Sequence, residues 1–283
     1  MSGPGRFPVA VRHIDARDES RARTFPCEIW TPEGAPGALP LAVYSHHSFG
    51  SRMAATFLCT HLASHGYAVA ALDHSETIVP ELERKPGESA AKSEARMQAL
   101  VAARVPDLQF LLDTVLAMPG VAIDSTRIAA VGHSFGGWTV LAAPEVDPRI
   151  RAVVAMAPAG SANPRPGIIR APLTFDWRRD VPTLFVAAEN DVSIPLEHIR
   201  ELYDRAPAPK RLVVLPRADH MHFLDNVEEQ HEAVRAMTFP PQLAWMQAEM
   251  RPIAQLISGE EAHTLLRDVI LAHLNGAGLQ GES

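Results

Sequence analysis

Apolar residues along the chain gather into short runs of two kinds. Val9 to Ile14 and Phe25 to Trp30 read as two strands joined by the polar segment Asp15 to Arg23, which predicts an antiparallel hairpin at a sheet edge. Further on, the runs Leu39 to Tyr44, Tyr67 to Leu72, Arg127 to Val131, Ala152 to Met156, Thr183 to Ala188 and Arg211 to Leu215 lack alternation. Such runs suit strands covered on both faces. Helical stretches lie between them, at Met53 to Ser64, Glu88 to Met118, Phe135 to Ala143 and Leu196 to Tyr203. A βαβ succession follows, so the expected class is α/β, with a mostly parallel central sheet and helices on both faces.

Pro106 interrupts the second helical stretch and predicts a kink or break, because proline lacks an amide donor and crowds the preceding turn. Glu76 to Glu88, with Pro80 and Pro86, and Ala159 to Asp180 do not fit the repeating unit. Both follow strand ends, where α/β proteins keep ligand-binding loops; the first reads as a surface excursion, while Phe175 and Trp177 make the second a candidate pocket wall. Pro240-Pro241 marks a turn, and Leu243 to Leu274 reads as packing helices divided near Pro252 and Gly259. No repeat or linker argues for a second domain, so residues 1–283 are expected to form one, with 76–88 and 159–180 as cap or pocket-wall loops.

Composition narrows the field of functions. Lys and Arg number 26 against 33 Asp and Glu, a net charge of −7, and no basic cluster offers a footprint for nucleic acid. The N-terminal MSGPGRFPVAVRHID has no apolar signal core, and no stretch approaches the roughly 20 apolar residues of a membrane span. A soluble, cytoplasmic chain is therefore expected. Cys27 and Cys59 are too few for a disulfide framework and read as small buried residues.

The strongest chemical signal is Gly132-His133-Ser134-Phe135-Gly136-Gly137, directly after an apolar strand and before a helical stretch. This is Gly-x-Ser-x-Gly in the strand-turn-helix context that exposes a nucleophilic serine. Small residues two positions to either side let the backbone turn tightly. A serine at a helix start also faces backbone N–H groups, so the amide of Phe135 is one expected oxyanion donor.

Serine needs a base, which in this arrangement follows later in the chain, with the acid lying between. Asp191 stands just past the strand Thr183 to Ala188 and is the expected acid; Glu189 is the competitor, and a helix N-cap is the bland role, for which Ser193 is better placed. After Arg211 to Leu215 comes Pro216-Arg217-Ala218-Asp219-His220-Met221-His222-Phe223, and His220 is the expected base, with His222 on the first helical turn as the rival. A zinc reading of His220 with His222 lacks a third ligand at the usual spacing, so no metal or other cofactor is expected.

The second oxyanion donor is expected from Ser45-His46-His47-Ser48-Phe49-Gly50, at the amide of Ser48. The side chains of His46 and His47 read as solvated. Phe49 and Trp177 are the candidate substrate contacts.

At these residues the chain resembles α/β hydrolases related to platelet-activating-factor acetylhydrolase and the bacterial dienelactone-hydrolase-like esterases. The likeness runs through Tyr44-Ser45-His46, Leu62 to Ala71, Gly132 to Gly137, and Val181-Pro182-Thr183-Leu184 through Glu189-Asn190-Asp191. It implies metal-independent hydrolysis of short or medium acyl esters, with Ser134, Asp191 and His220 on the triad positions. His47 departs from the glycine usual after the loop histidine, and a serine nucleophile sets the chain apart from true dienelactone hydrolases, which use cysteine. The acid loop is similar to that of cutinase-type polyester hydrolases, which makes polymer cleavage the alternative. The same triad would serve an amidase, a carbon–carbon hydrolase or a perhydrolase, and a non-catalytic binding or scaffold domain is the rival of another class. The expected partner is a small-molecule ester, with a homo-oligomer left open.

Overall fold

In the computed structural model, residues 3, 5–83, 85 and 87–279 are described. Pro86, together with Met1, Ser2 and Pro4 of the N-terminal segment, lies outside them. Among the described residues eight strands form one sheet: β1 (Val9–Asp18), β2 (Arg23–Pro32), β3 (Leu39–Ser45), β4 (Ala68–Leu72), β5 (Ile123–His133), β6 (Ile150–Met156), β7 (Thr183–Ala188) and β8 (Lys210–Leu215). Their order is β1-β2-β4-β3-β5-β6-β7-β8. The first two strands pair antiparallel, as does β2 with β4, and all other neighbours are parallel. The helices are α1 (Thr56–Ser64), α2 (Ser75–Ile78), α3 (Ala90–Leu116), α4 (Phe135–Ala142), α5 (Leu196–Arg205), α6 (Val227–Ala236), α7 (Ala244–Glu249) and α8 (Gly259–Leu274).

Strand order decides where the helices go. From β3 the chain steps to β4 on one side, then returns across β3 to β5 on the other. Right-handed crossovers therefore place α1 and α3 on opposite faces of the sheet. On these faces α8 packs on α1 and α4 on α3. The reversal is a topological switch point, and the loops leaving the carboxyl ends of β3 and β5 border the crevice it opens. The central strands are buried along their whole length in β3, β4 and β7, which is why they read as unbroken apolar runs.

Three expectations need correction. The hairpin strands run four residues past Ile14 to Asp18 and begin at Arg23: Asp15 and Arg17 face solvent without ending the ladder, while Ala16 and Asp18 between them are buried. Of the kink or break expected at Pro106, it is the break that is overturned: α3 is continuous over 27 residues with Pro106 inside it. Burial of Leu100 before it and of Leu108, Leu111, Leu112 and Val115 after it offsets the cost of about 3 kcal/mol for an interior proline. Glu76, read as part of a surface excursion, is buried with Ser75 at the start of the segment.

Candidate active site

β5 ends at His133 and α4 begins at Phe135, so the whole reversal falls on Ser134, with φ 58° and ψ −115°. A non-glycine residue in that region costs on the order of 1–3 kcal/mol and persists only where its surroundings hold it. Here its N–H donates to the Met156 carbonyl at 2.8 Å, and its own carbonyl accepts from the amides of Ala159 (3.0 Å) and Trp138 (3.1 Å). The flanking glycines are required by close approach: a Cβ on Gly136 would stand 1.9 Å from the Ser45 carbonyl oxygen, and one on Gly132 2.2 Å from that of Gly136.

Asp191 sits in the loop after β7 and uses both oxygens. Oδ1 accepts from the amides of Ser193 and Ile194, each at 2.8 Å, while Oδ2 accepts from Nδ1 of His220 at 2.6 Å. The competing Glu189 accepts instead from the Arg217 amide at 2.7 Å. His220 opens a short 3-10 turn after β8, and its ring lies 4.6 Å from that of His133, the residue preceding Ser134. Burial works against a charge on this imidazole, but the charge and hydrogen bond of Asp191 outweigh it, and the pKa of His220 lies above the ordinary value. His222 is engaged elsewhere: its Nδ1 meets Asp219 Oδ1 at 2.7 Å and its Nε2 donates to the Ile257 carbonyl at 2.8 Å.

His46 and His47 are not the solvated side chains expected. His46 is fully buried; its Nδ1 donates to the His47 carbonyl at 2.6 Å and its Nε2 accepts from the His74 amide at 3.0 Å. Burial, with Arg104 nearby, holds its pKa well below the usual value; burial and His220 hold that of His47 at about 4. His133 is likewise kept neutral by burial and by the imidazoles of His220 and His47. Around the serine, His220 is thus the imidazole whose surroundings favour the protonated ring.

Beneath the loop lies a buried polar cluster that sequence reading missed. Arg104, from α3, pairs with Glu76 of α2 and donates to the carbonyls of His46 (2.6 Å) and His47 (3.1 Å). Its guanidinium stands 4.4 Å from the centre of the Phe135 ring. Asp107, one turn on, accepts from Ser75 and from Arg21. The available signal was an arginine and an aspartate within the apolar stripe of Leu100, Leu108 and Leu111 on one helix face.

The two candidate substrate contacts part company. Phe49 is 52% exposed, with φ 55°, on the rim of a cleft of about 410 Å³ also bordered by His47, Met53 and Leu224. Trp177 is in the core, a correction to its expected place in a pocket wall. It is 4% exposed, and its indole N–H donates to the Leu141 carbonyl at 3.1 Å. That acceptor lies seven residues along α4 from Ser134, about 10 Å at the helical rise.

The family model described as PET hydrolase-like matches residues 25–250, most of the chain and all of the site. The chain belongs to the PET hydrolase-like family. Among relatives, cutinase est2 of Thermobifida alba is 27% identical over 181 residues, covering 63% of this chain and 51% of that one. Cutinase 2 of Thermobifida cellulosilytica is 26% identical over 180 residues, covering 63% and 58%. The chain thus spans about half the length of these relatives. Among solved structures, a ferulic acid esterase from Streptomyces cinnamoneus superposes with a TM-score of 0.70 at 24% identity, over 97% of this chain and 91% of that one. An acetyl xylan esterase from Paenibacillus sp. R4 gives 0.55 at 18% identity, over 81% and 87%. The fold of this PET hydrolase-like chain is accordingly that of the α/β hydrolases. Among its described residues no helix is long and apolar enough to cross a membrane.

Proposed function

We propose that the chain is a serine carboxylic-ester hydrolase acting on short to medium acyl esters through a covalent acyl-enzyme, with one layered domain carrying the whole reaction. The observation that carries the reading is the 2.6 Å contact of Asp191 with His220, whose ring packs on the residue next to the strained Ser134. His220 takes the proton of Ser134 as the hydroxyl oxygen attacks the ester carbonyl. Asp191 holds the imidazole in the tautomer that leaves Nε2 free, and the amides of Phe135 and Ser48 stabilise the oxyanion. The proton passes to the leaving alcohol, and water repeats the cycle on the acyl-enzyme. No step calls for a cofactor. The free, buried state of Cys27 and Cys59 suits a reducing, cytoplasmic setting.

Polymer cleavage is the second reading. It is favoured by the family match and by the exposed ring of Phe49, next to Ser48 on the loop after β3, which can lie against a bulky acyl or aryl group. Rates on p-nitrophenyl esters of graded chain length, set against release from an insoluble polyester film, separate the two: a steep fall beyond butyrate with no film erosion supports the small-ester reading.

Stoichiometric labelling of Ser134 by a fluorophosphonate, lost in Ser134→Ala together with turnover of p-nitrophenyl butyrate, tests the nucleophile. Turnover by Ser134→Ala near the wild-type rate, in a chain of unchanged fold, would contradict it, and an unlabelled wild type would favour a scaffold.

A further inference from the structure

We infer that the buried Arg104–Glu76 pair positions the Ser48 amide as an oxyanion donor, which makes Arg104 a positioning residue of the hydrolase proposed above. The inference rests on that reading of the site. In a trans peptide the C=O of one residue and the N–H of the next point in opposite directions. The carbonyl of His47 is turned inward, where it accepts from Arg104 Nη2 at 3.1 Å and from His46 Nδ1 at 2.6 Å. The N–H of Ser48 must then face away from the buried pair. The following amide, that of Phe49, is turned inward again and donates to Glu76 Oε1 at 3.3 Å. The preceding carbonyl, that of His46, accepts from Arg104 Nη1 at 2.6 Å. One ion pair therefore grips the loop on both sides of Ser48 and leaves the amide between the two grips facing outward.

The same guanidinium lies under the ring of Phe135, the residue expected to supply the other donor. Both donors are thus referenced to a single group, carried on α3 and packed against α4 from below. Stability alone does not call for this choice, since a buried ion pair can often be replaced by apolar side chains of similar volume at no loss. What apolar side chains cannot do is hold two carbonyls and a carboxylate in one plane. The guanidinium fork can, and a lysine ammonium, a point charge, cannot do so fully.

The test compares wild type, Arg104→Lys and the double variant Arg104→Met with Glu76→Leu, which removes the pair without stranding a buried charge. Melting temperature, kcat and KM on p-nitrophenyl butyrate, and the inhibition constant of a trifluoromethyl ketone, which adds to the serine as a tetrahedral oxyanion, are measured for each. The expected result is a kcat lower by about 10- to 100-fold in the double variant, up to the roughly 100-fold loss that a misplacement of about 1 Å can cause and short of the loss on removing a donor outright. KM stays close to wild type, ketone affinity weakens in step with kcat/KM, and Arg104→Lys falls between. Folded variants that keep kcat within about twofold, or that lose kcat and KM together with ketone binding unchanged, overturn the inference. Should the double variant not fold, Arg104→Lys decides on the same criteria. A wild type inactive on the ester and unlabelled at Ser134 overturns the hydrolase reading and this inference with it; an active wild type with indifferent variants overturns the inference alone.

Discussion

Asp191 and His220 meet through one carboxylate oxygen and one ring nitrogen, 2.6 Å apart, while the second oxygen of Asp191 is occupied by the amides of Ser193 and Ile194. Those two amides also dictate what an asparagine would do in this place. Its carbonyl would stay on the amides and its NH2 would face Nδ1 of His220, forcing that nitrogen to accept. The ring proton would move to Nε2, where the serine proton has to go. Asp191→Asn should therefore lower kcat on p-nitrophenyl butyrate by on the order of 10⁴ with little change in melting temperature. A loss below tenfold would show that the tautomer is set by something else.

The acid limb of the pH profile should report His220. Its pKa is raised above the ordinary 6.5, and the reaction needs the neutral ring, so kcat/KM should fall as pH drops through a midpoint above 6.5. His46, His47 and His133 have their pKa values pushed down and stay neutral through that range, which predicts a limb of one proton. A midpoint below 6.5, or a two-proton slope, would contradict the assignment.

Gly136 tests the close fit of α4 against the end of β3. A methyl group there meets the Ser45 and His46 carbonyl oxygens at 1.9 and 2.7 Å, both backbone atoms. Gly136→Ala should cost about 1–3 kcal/mol or more in denaturant unfolding, with esterase activity lost alongside. A Cβ on Gly276 meets nothing within 4 Å, so Gly276→Ala is the control, expected within about 0.5 kcal/mol of wild type. Equal effects at the two positions would remove the steric argument.

His231 should make folding stability depend on pH. Its Nδ1 lies 2.5 Å from Asp219 Oδ2, its Nε2 donates to the Arg251 carbonyl at 2.9 Å, and Glu232 stands 4.0 Å away. Burial opposes the charge, yet these acceptors outweigh it and raise the pKa above 6.5. A raised pKa in the folded state stabilises fully below the unfolded value and loses that contribution as pH climbs through the folded one. Asp219 is held well below the carboxylate range by its two histidines, against the effect of burial, so the pair stays ionised into mild acid. His231→Phe should lower the melting temperature most near pH 6 and least near pH 9. A difference that does not vary with pH would show that the interaction does not titrate.

What could be read from the sequence was what local pattern controls. The central strands were visible because β3, β4 and β7 are apolar along their length, and Ser134 because Gly132 and Gly136 must be small for two backbones to approach. Asp191 and His220 were placed by chain order after strand ends. Hidden were contacts made between distant segments. The continuity of α3 through Pro106 depends on the burial of its neighbours, Leu100 before it and Leu108 and Leu111 after it, against the rest of the fold, and the burial of His46 on His74 and Arg104, 28 and 58 residues away. Trp177 looked like a pocket residue because an aromatic in a proline-rich loop reads as exposed, whereas the Leu141 carbonyl gives its indole a buried partner.

The loop carrying His220 is steadied by residues that come much later. His222 leans on the carbonyl of Ile257, His231 on that of Arg251, and the Ile257 amide returns to the carbonyl of Arg217. A growing chain on the ribosome thus holds its serine, its aspartate and its histidine well before the supports for the last of them have been synthesised. The reaction proposed for these residues therefore needs the chain through Ile257, and a cut between 237 and 250 would threaten it while leaving Ser134, Asp191 and His220 in place.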